Sequence, residues 1–247
     1  SIGGLEAFVK KGDRVLLKVN AAFASAPMLS ATTHPDMVTA LTRSCLKAGA
    51  ASVIVTDNPI NDPASCFRLT GIELAARTAG ATVVLPQKEF FKPYSLPQGQ
   101  LIRNWPVLFD PLSRIDKIIG TAPVKDHHRS GASMIMKNWY GLLGGRRNIF
   151  HQDIHTIIQE LAMMIKPTLV VLDGTTTMMH NGPTGGSLSD LKNTHTMIVS
   201  TDQVAADAYG ASLLDKTISD LAFIEKAEAV GMGTADFKSL NPVMESI

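Results

Sequence analysis

The segment RVLLKVN, residues 14–20, is a short apolar run that ends in a polar side chain, and its pattern returns along the chain. Runs rich in Val, Ile and Leu that are bounded by turn residues are typical of buried strands. Segments with helical spacing separate them, and this alternation is typical of parallel sheets. The strand candidates are residues 14–19, 52–56, 82–85, 117–121, 168–172 and 196–199.

Helical segments fill the gaps between these strands. Residues 34–48 begin at a His-Pro start signal and stop at Gly49, and residues 67–79 stop at Gly80, as helices usually do. The apolar spacing also predicts helices over residues 151–165 and 202–214. The chain therefore predicts a single α/β domain over residues 1–247, with a mostly parallel sheet and helices on both faces.

Residues 86–113 break this rhythm. They contain five prolines and few helical spacings, so we interpret them as an insertion or lid on the domain. The opening GGLEAFVKKGD is typical of the middle of a domain, which leaves open a first strand or a leader upstream of Ser1. The compartment therefore stays open between the cytoplasm and, after removal of a twin-arginine leader, export to the periplasm.

Composition argues against several classes of protein. Twenty-three basic and 22 acidic residues give a net charge of +1, too little positive charge for a nucleic-acid partner. The two cysteines, Cys45 and Cys66, predict buried small side chains and no iron–sulfur cluster within this chain. No apolar run reaches 18 residues, so we expect no membrane span.

Polar side chains follow most of the predicted strands. Because ligands of parallel sheets bind outside the carboxyl ends of the strands, these side chains indicate one site at that edge. The alternative is that each of them is only a turn former or a helix cap. The side chains are Asn20, Asp57, Asp126 with His127 and His128, Asp173, and Asp202.

Two further features bear on a ligand. A loop with Gly182, Gly185 and Gly186 could present main-chain N–H groups to a small anion, or could be an ordinary turn. Asp207 falls on the core face of its predicted helix and needs a partner there. That partner is either a structural main-chain or lysine contact, or a ligand or metal.

The stretch KNWYGLLGGRRNIFHQDIH, residues 137–155, concentrates candidate reactive groups. We predict that Lys137, His128 and His151 are catalytic and that Asn138, Arg146 and Arg147 help to bind a small anion. His127, His128 and His151 are also candidate ligands of a divalent metal. HQDIH lacks the glutamate of a zinc-protease motif, which excludes that class. Structural histidines and a solvated Arg-Arg turn are the alternative.

Several of these segments together resemble the family called domain of unknown function 362. They are KVN at 18–20, the HPDM helix start, KNWYGLLGG with His151, the DGTTTMM…GPTGG loop and the S-x-D-x-V-A-x-D-A segment. The resemblance implies an α/β fold and an association with iron–sulfur or redox proteins, and some members carry twin-arginine leaders. Val19 stands where the family usually has proline, and the four-cysteine ferredoxin segment of many relatives is missing.

A more distant resemblance is to the N-terminal region of nickel-pincer lactate racemases, where a lysine lies between two histidines. Lys137 has a similar order and spacing between His127 or His128 and His151. The flanking residues differ, so the resemblance does not carry the nickel-pincer cofactor to this chain.

Two functional hypotheses follow. In the first, the protein is an enzyme or cofactor-handling protein that binds a small carboxylate or oxyanion, with or without a metal, and its aspartates orient the reactive groups. In the second, it is a non-catalytic binding or assembly module for a ferredoxin-like or other redox partner. That partner would dock on the aromatic side chains of the Pro-rich segment: Phe90, Phe91, Tyr94 and Trp105.

Overall fold

The computed structural model describes residues 3–246 of the chain. Its main sheet has the strand order β3-β2-β1-β6-β8-β9, with β7 paired to β6. All neighbours from β3 to β8 are parallel, whereas β7 and β9 run antiparallel to their partners. These strands are β1 (Arg14–Lys18), β2 (Ser52–Thr56), β3 (Thr82–Val83), β6 (Lys117–His127), β7 (Gly131–Ser133), β8 (Leu169–Met178) and β9 (Leu191–Ser200).

Helices cover both faces of this sheet, which confirms the predicted α/β class. Alternate residues of β1 point to opposite sides, so Val15 and Leu17 pack in one core and Leu16 in the other. The first core includes side chains of α1 and α3, and the second those of α5 to α8. The helices are α1 (Pro35–Lys47), α2 (Pro63–Leu69), α3 (Ile72–Ala79), α4 (Phe109–Leu112), α5 (Ile135–Asn138), α6 (Ile154–Met164), α7 (Gln203–Leu213) and α8 (Ala222–Ala229).

The Pro-rich segment leaves the main sheet, as predicted, and forms an antiparallel hairpin. Its strands are β4 (Phe91–Tyr94) and β5 (Trp105–Leu108). The turn between them is fastened to α6 by one buried carboxylate: Glu160 accepts hydrogen bonds from three successive N–H groups, those of Gln100, Leu101 and Ile102. The hairpin is thereby held beside the carboxyl ends of the parallel strands.

Some predicted boundaries are wrong. The strand predicted to stop at Thr121 continues to His127, and the one predicted to stop at Leu172 continues to Met178, because each gains an antiparallel partner beyond the parallel section. The helix predicted over residues 67–79 is two helices, interrupted by Gly71 in the left-handed region at φ 74°. The helix predicted from His151 is a 3-10 segment up to Asp153 and an α-helix only from Ile154.

Within residues 3–246, the structure contains no helix with the length and apolar character needed to cross a bilayer. Both cysteines are buried and unpaired, as the sequence predicts.

Candidate functional site

A cleft of about 1490 Å³ opens where the central parallel strands end. Asn20 follows β1, Asp57 follows β2 and His127 ends β6, and all three line it. The hairpin contributes Phe91 to the opposite wall. Main-chain direction explains this gathering, because the carboxyl ends of parallel strands share one edge of the sheet.

A buried ion pair forms one side of the cleft. The Lys18 ammonium lies 2.8 Å from Asp57 Oδ1 and donates to Asn138 Oδ1 at 3.1 Å. Asp57 also accepts the N–H groups of Ala21 and Asn58. Burial lowers the pKa of Lys18, and the Asp57 charge opposes that shift. The pair is therefore a fixed, internally neutral part of the wall.

Gly141 is required for this arrangement. A Cβ atom built on Gly141 would overlap Asp57 Oδ1 and crowd the Lys18 ammonium. The glycine of the KNWYG stretch therefore has a packing role that side-chain chemistry does not reveal.

The Lys137 backbone is held rigidly by its neighbours. Trp139 is fully buried and donates its indole N–H to Gln203 Oε1 at 2.7 Å. Asn138 donates its side-chain amide to the Lys18 and Thr121 carbonyls. Lys137 thus lies on a short helix, and the two residues after it are held in place by these hydrogen bonds.

Lys125 and Lys137 are two lining amines that are withdrawn from water. Lys125 is 1% exposed; its ammonium donates to the Ala31 carbonyl and lies 5.2 Å from the centre of the Phe23 ring. The partly buried Lys137 ammonium lies 5.3 Å from the centre of the Tyr140 ring. Neither forms an ion pair with a carboxylate of residues 3–246. Burial lowers the pKa of Lys125 to about 7 and that of Lys137 to about 8, and a neighbouring cation adds to each shift.

Three imidazoles stack beside these amines. The His127 ring lies between His128 and His151, with ring centroids 5.0 Å and 6.0 Å away. His127 Nδ1 accepts hydrogen bonds from the N–H groups of Arg129 and Ser130, so its proton is on Nε2. Burial, with help from the positive charge of Lys137, lowers the pKa of His127 to about 2. His127 is therefore a neutral hydrogen-bond donor.

His128 and His151 hold the opposite tautomer. His128 Nδ1 lies 3.3 Å from the Gly182 carbonyl, and His151 Nδ1 lies 3.2 Å from the Asn148 carbonyl. Because a carbonyl only accepts, each Nδ1 carries a proton and each Nε2 keeps a lone pair. Burial lowers the pKa of His151, which keeps that lone pair unprotonated near neutral pH. Both rings can accept a proton at Nε2.

The two arginines are placed differently. Arg147 is partly buried and donates to four main-chain carbonyls, those of Tyr140, Leu143, Asn58 and Pro59. Its hydrogen bonds stabilise the loops of the cleft, while its charge stays uncompensated by those neutral groups. Arg146 is exposed at the rim.

The three histidines of the metal prediction differ in the lone pairs that they offer. Among residues 3–246, no group of three His, Cys, Asp or Glu side chains could hold a metal ion. In its present tautomer His127 offers no free lone pair, whereas His128 and His151 each offer one at Nε2. Metal binding by these three histidines stays a prediction.

Comparison with known proteins identifies the family. The family model described as domain of unknown function, DUF362, matches residues 15–212, which include the strands and loops that build the cleft. The chain belongs to the DUF362 family. This confirms the resemblance drawn from the sequence motifs.

Three individual proteins illustrate what this DUF362 chain is similar to. It is 25% identical to the thylakoid-associated protein sll1697 of Synechocystis sp., over 98% of this chain and 73% of that protein. The lactate racemase apoprotein of Thermoanaerobacterium thermosaccharolyticum is 12% identical with a TM-score of 0.48, over 88% of this chain and 51% of that one. A structural-genomics protein of Thermotoga maritima is 13% identical with a TM-score of 0.38, over 68% and 47%. The chain thus spans about half the length of each solved structure.

The structure brings ten of the predicted site residues of this DUF362 protein to the cleft. They are Asn20, Asp57, His127, His128, Lys137, Asn138, Arg146, Arg147, His151 and Gly182. Gly182 approaches the Asp126 backbone so closely that a Cβ atom would overlap it, and its N–H donates to Asp126 Oδ2. That contact fixes the loop that accepts the His128 hydrogen bond.

The other five predicted residues lie outside the cleft lining. Asp173 is inside β8 because the strand continues past it, and it lines a separate depression against α1. Asp202 caps α7 by accepting the N–H groups of Val204 and Ala205. The Gly185 N–H donates to the Asn181 carbonyl, and Gly186 adopts a positive φ in the same turn.

Asp207 has the core position predicted for it, and its partners are main-chain groups. It is 0% exposed and accepts the N–H groups of Ile135 at 2.8 Å and Met136 at 3.0 Å. These are the first residues of α5, the helix that carries Lys137. Burial raises the pKa of Asp207 to about 7, against the two hydrogen bonds. Asp207 therefore holds the N-terminus of the short helix that carries Lys137.

Sequence reasoning missed Lys125 as a lining residue of the cleft and Lys18 as the ion-pair partner of Asp57. Both lie within apolar strands, in RVLLKVN and APVKDHH, where a lysine is unexpected because both faces of the sheet are buried. A charged residue inside a buried strand was the available signal. Tyr140, which donates to the Arg147 carbonyl and contacts His151, carried no such signal.

Proposed function

We propose that this protein is an enzyme or cofactor-handling protein that binds a small carboxylate or oxyanion in the cleft. The observation that carries the proposal is the charge of the lining. One carboxylate, Asp57, lines the cleft within residues 3–246, and it is already paired with Lys18. Six basic residues line the same cleft: Lys88, Lys125, Arg129, Lys137, Arg146 and Arg147.

Electrostatics supports an anionic ligand. Amines that are withdrawn from water without a counter-ion destabilise the folded state, and an anion that enters the cleft reduces that cost. Lys125 and Lys137 are such amines, and His127 adds a neutral N–H donor. The low dielectric of a cleft wall strengthens each of these attractions relative to water.

The imidazoles supply acid–base chemistry next to the anion. His128 and His151 each keep an Nε2 lone pair, and each ring is oriented by a main-chain carbonyl at Nδ1. A neutral imidazole held in this way suits a general base near neutral pH. We assign His128 and His151 the proton transfers and Lys137 the binding of negative charge.

Calorimetric titration tests the proposal. Malonate and inorganic phosphate should bind the wild-type chain at low ionic strength, and Lys137→Ala should weaken binding by at least about tenfold, the loss of one close charge. The melting temperature of Lys137→Ala should equal or exceed that of the wild type, because the partly buried ammonium has no ion-pair partner among residues 3–246 and opposes folding. Lys92→Ala, at an exposed position of the hairpin that does not line the cleft, is the matched control and should bind nearly normally.

The result would be negative if neither anion bound the wild type, or if Lys137→Ala bound both as well as the wild type. Loss of folding in Lys137→Ala would instead make Lys137 structural. Elemental analysis of the same purified wild-type protein tests the metal: a stoichiometric divalent ion would support it, with His128 and His151 Nε2 as the expected ligands.

The second hypothesis, a non-catalytic module that docks a redox partner, has less structural support. Its proposed contact side chains Phe90, Phe91, Tyr94 and Trp105 are partly buried against the core of the α5–α8 layer. Deletion of the hairpin tip, with partner capture as the readout, separates this hypothesis from the first.

A further inference from the structure

The charges in the cleft wall form one group. Lys125, Lys137, Arg147 and Asp57 line the cleft, and the buried Lys18 ammonium contacts Asp57. The group therefore contains four basic side chains and one carboxylate, Asp57. Asp57 and Lys18 neutralise each other across 2.8 Å. When all are protonated, the remaining three cations leave an excess of three positive charges in the wall.

Hydrogen bonds do not remove this excess. The Lys125 ammonium contacts one carbonyl and one ring, and Arg147 contacts four carbonyls, all of them uncharged groups. His127, in the middle of the group, is a neutral donor. One negative charge from a ligand would still leave uncompensated cations in the wall.

We infer that the ligand of this cleft carries at least two negative charges within a small volume, as a dicarboxylate or a phosphorylated acid does. Lys125 and Lys137 bind the second of these charges. The inference rests on the proposed function and narrows it to a class of ligand. It also assigns a ligand-binding role to Lys125, which is buried in the cleft lining and forms no ion pair with a carboxylate of residues 3–246.

The test compares malonate with malonamate, its mono-amide, which has nearly the same shape and one charge fewer. Titration of the full chain should show malonate binding at least about tenfold more tightly than malonamate, because a second charge at contact distance interacts strongly in a cleft wall. Inorganic phosphate is titrated in a parallel experiment. Tighter binding of malonate would indicate a dicarboxylate ligand, and tighter binding of phosphate would indicate a phosphorylated ligand.

Two variants locate the effect. Lys125→Met keeps an unbranched side chain and removes the charge, so it should reduce the preference for malonate over malonamate to within about threefold. Lys92→Met removes an exposed charge outside the cleft lining and should keep the wild-type preference.

Equal binding of malonate and malonamate by the wild type would overturn the inference and leave the proposed function standing, and this comparison needs no variant. An unchanged preference for malonate over malonamate in folded Lys125→Met would also overturn it, because another group would then bind the second negative charge. If malonate, malonamate and phosphate all fail to bind, the result contradicts the proposed function itself.

Discussion

At the scale of single residues, Lys125 shows a conflict between stability and ligand binding. Its buried ammonium forms no ion pair with a carboxylate of residues 3–246, and it opposes folding because it loses its hydration in return for a carbonyl contact and a ring contact. Such residues persist at sites whose ligand supplies the missing charge.

Lys125→Met should therefore stabilise the chain in the absence of ligand. We expect an increase in the free energy of unfolding at pH 7 of about 1–3 kcal/mol, the range found when buried charges are replaced by apolar side chains. Urea denaturation measures it, and Lys88→Met, at an exposed position, should change stability by less than about 0.5 kcal/mol. A less stable Lys125→Met would mean that the ammonium contacts contribute more than burial costs.

His151 is the residue on which acid–base chemistry can be tested directly. Its Nε2 lone pair should remove a proton from the carbon next to a bound carboxylate, as a general base does. In D₂O, the wild type should exchange the methylene protons of malonate faster than buffer alone, and His151→Gln should lose about 10²–10⁴-fold of that acceleration. Proton NMR follows the exchange. Equal rates in wild type and His151→Gln would remove His151 from the chemistry.

Asp207 links protonation to stability. Burial raises its pKa from 3.8 in the unfolded chain to about 7 in the fold, so between these values the folded chain binds a proton that the unfolded chain lacks. This contribution to stability is present at low pH and is lost as pH rises through that interval.

Asp207→Asn removes this titration. Relative to the wild type, the variant should gain stability as the pH rises from about 4 to about 7. This gain adds to a constant loss of about 1–3 kcal/mol from the weaker helix contact. Denaturation curves at several pH values give the comparison. A constant difference between the two proteins at all pH values would show that Asp207 does not titrate there.

At the scale of elements, the hairpin depends on a single buried carboxylate. Glu160 of α6 accepts three successive N–H groups of the turn, so its loss leaves buried donors without partners. Glu160→Gln should cost about 1–3 kcal/mol and increase hydrogen exchange in residues 95–103. Glu73→Gln, which breaks the exposed pair with Arg77, should cost less than about 0.5 kcal/mol. Unchanged exchange in the turn would mean that core packing alone holds the hairpin.

Elements were predictable from sequence where one local pattern determines them. The start of α1 at Pro35 and its stop before Gly49 follow from local signals. The ends of β6 and β8 do not, because pairing with β7 and β9 depends on residues far along the chain. That extension is why Asp173 lies within β8 and lines a depression outside the cleft.

At the scale of the whole molecule, the strand-edge rule places most of the site. Asn20, Asp57 and the histidines after β6 meet because parallel strands share an edge, and this was predictable. The tautomers of the three histidines were not, since each depends on a main-chain group brought near by folding. Nor could the sequence show that Arg147 donates its hydrogen bonds to main-chain carbonyls, or that Lys125 forms no ion pair within residues 3–246.

The central claim is that an anion occupies the cleft against Lys125 and Lys137, and a crystal structure of the wild-type chain with malonate tests it most directly. The account predicts malonate with a carboxylate oxygen within hydrogen-bond distance of the Lys137 ammonium, a second charge facing Lys125, and His151 Nε2 beside it. A fully formed cleft without malonate at saturating concentration, or malonate bound only elsewhere on the surface, would contradict it.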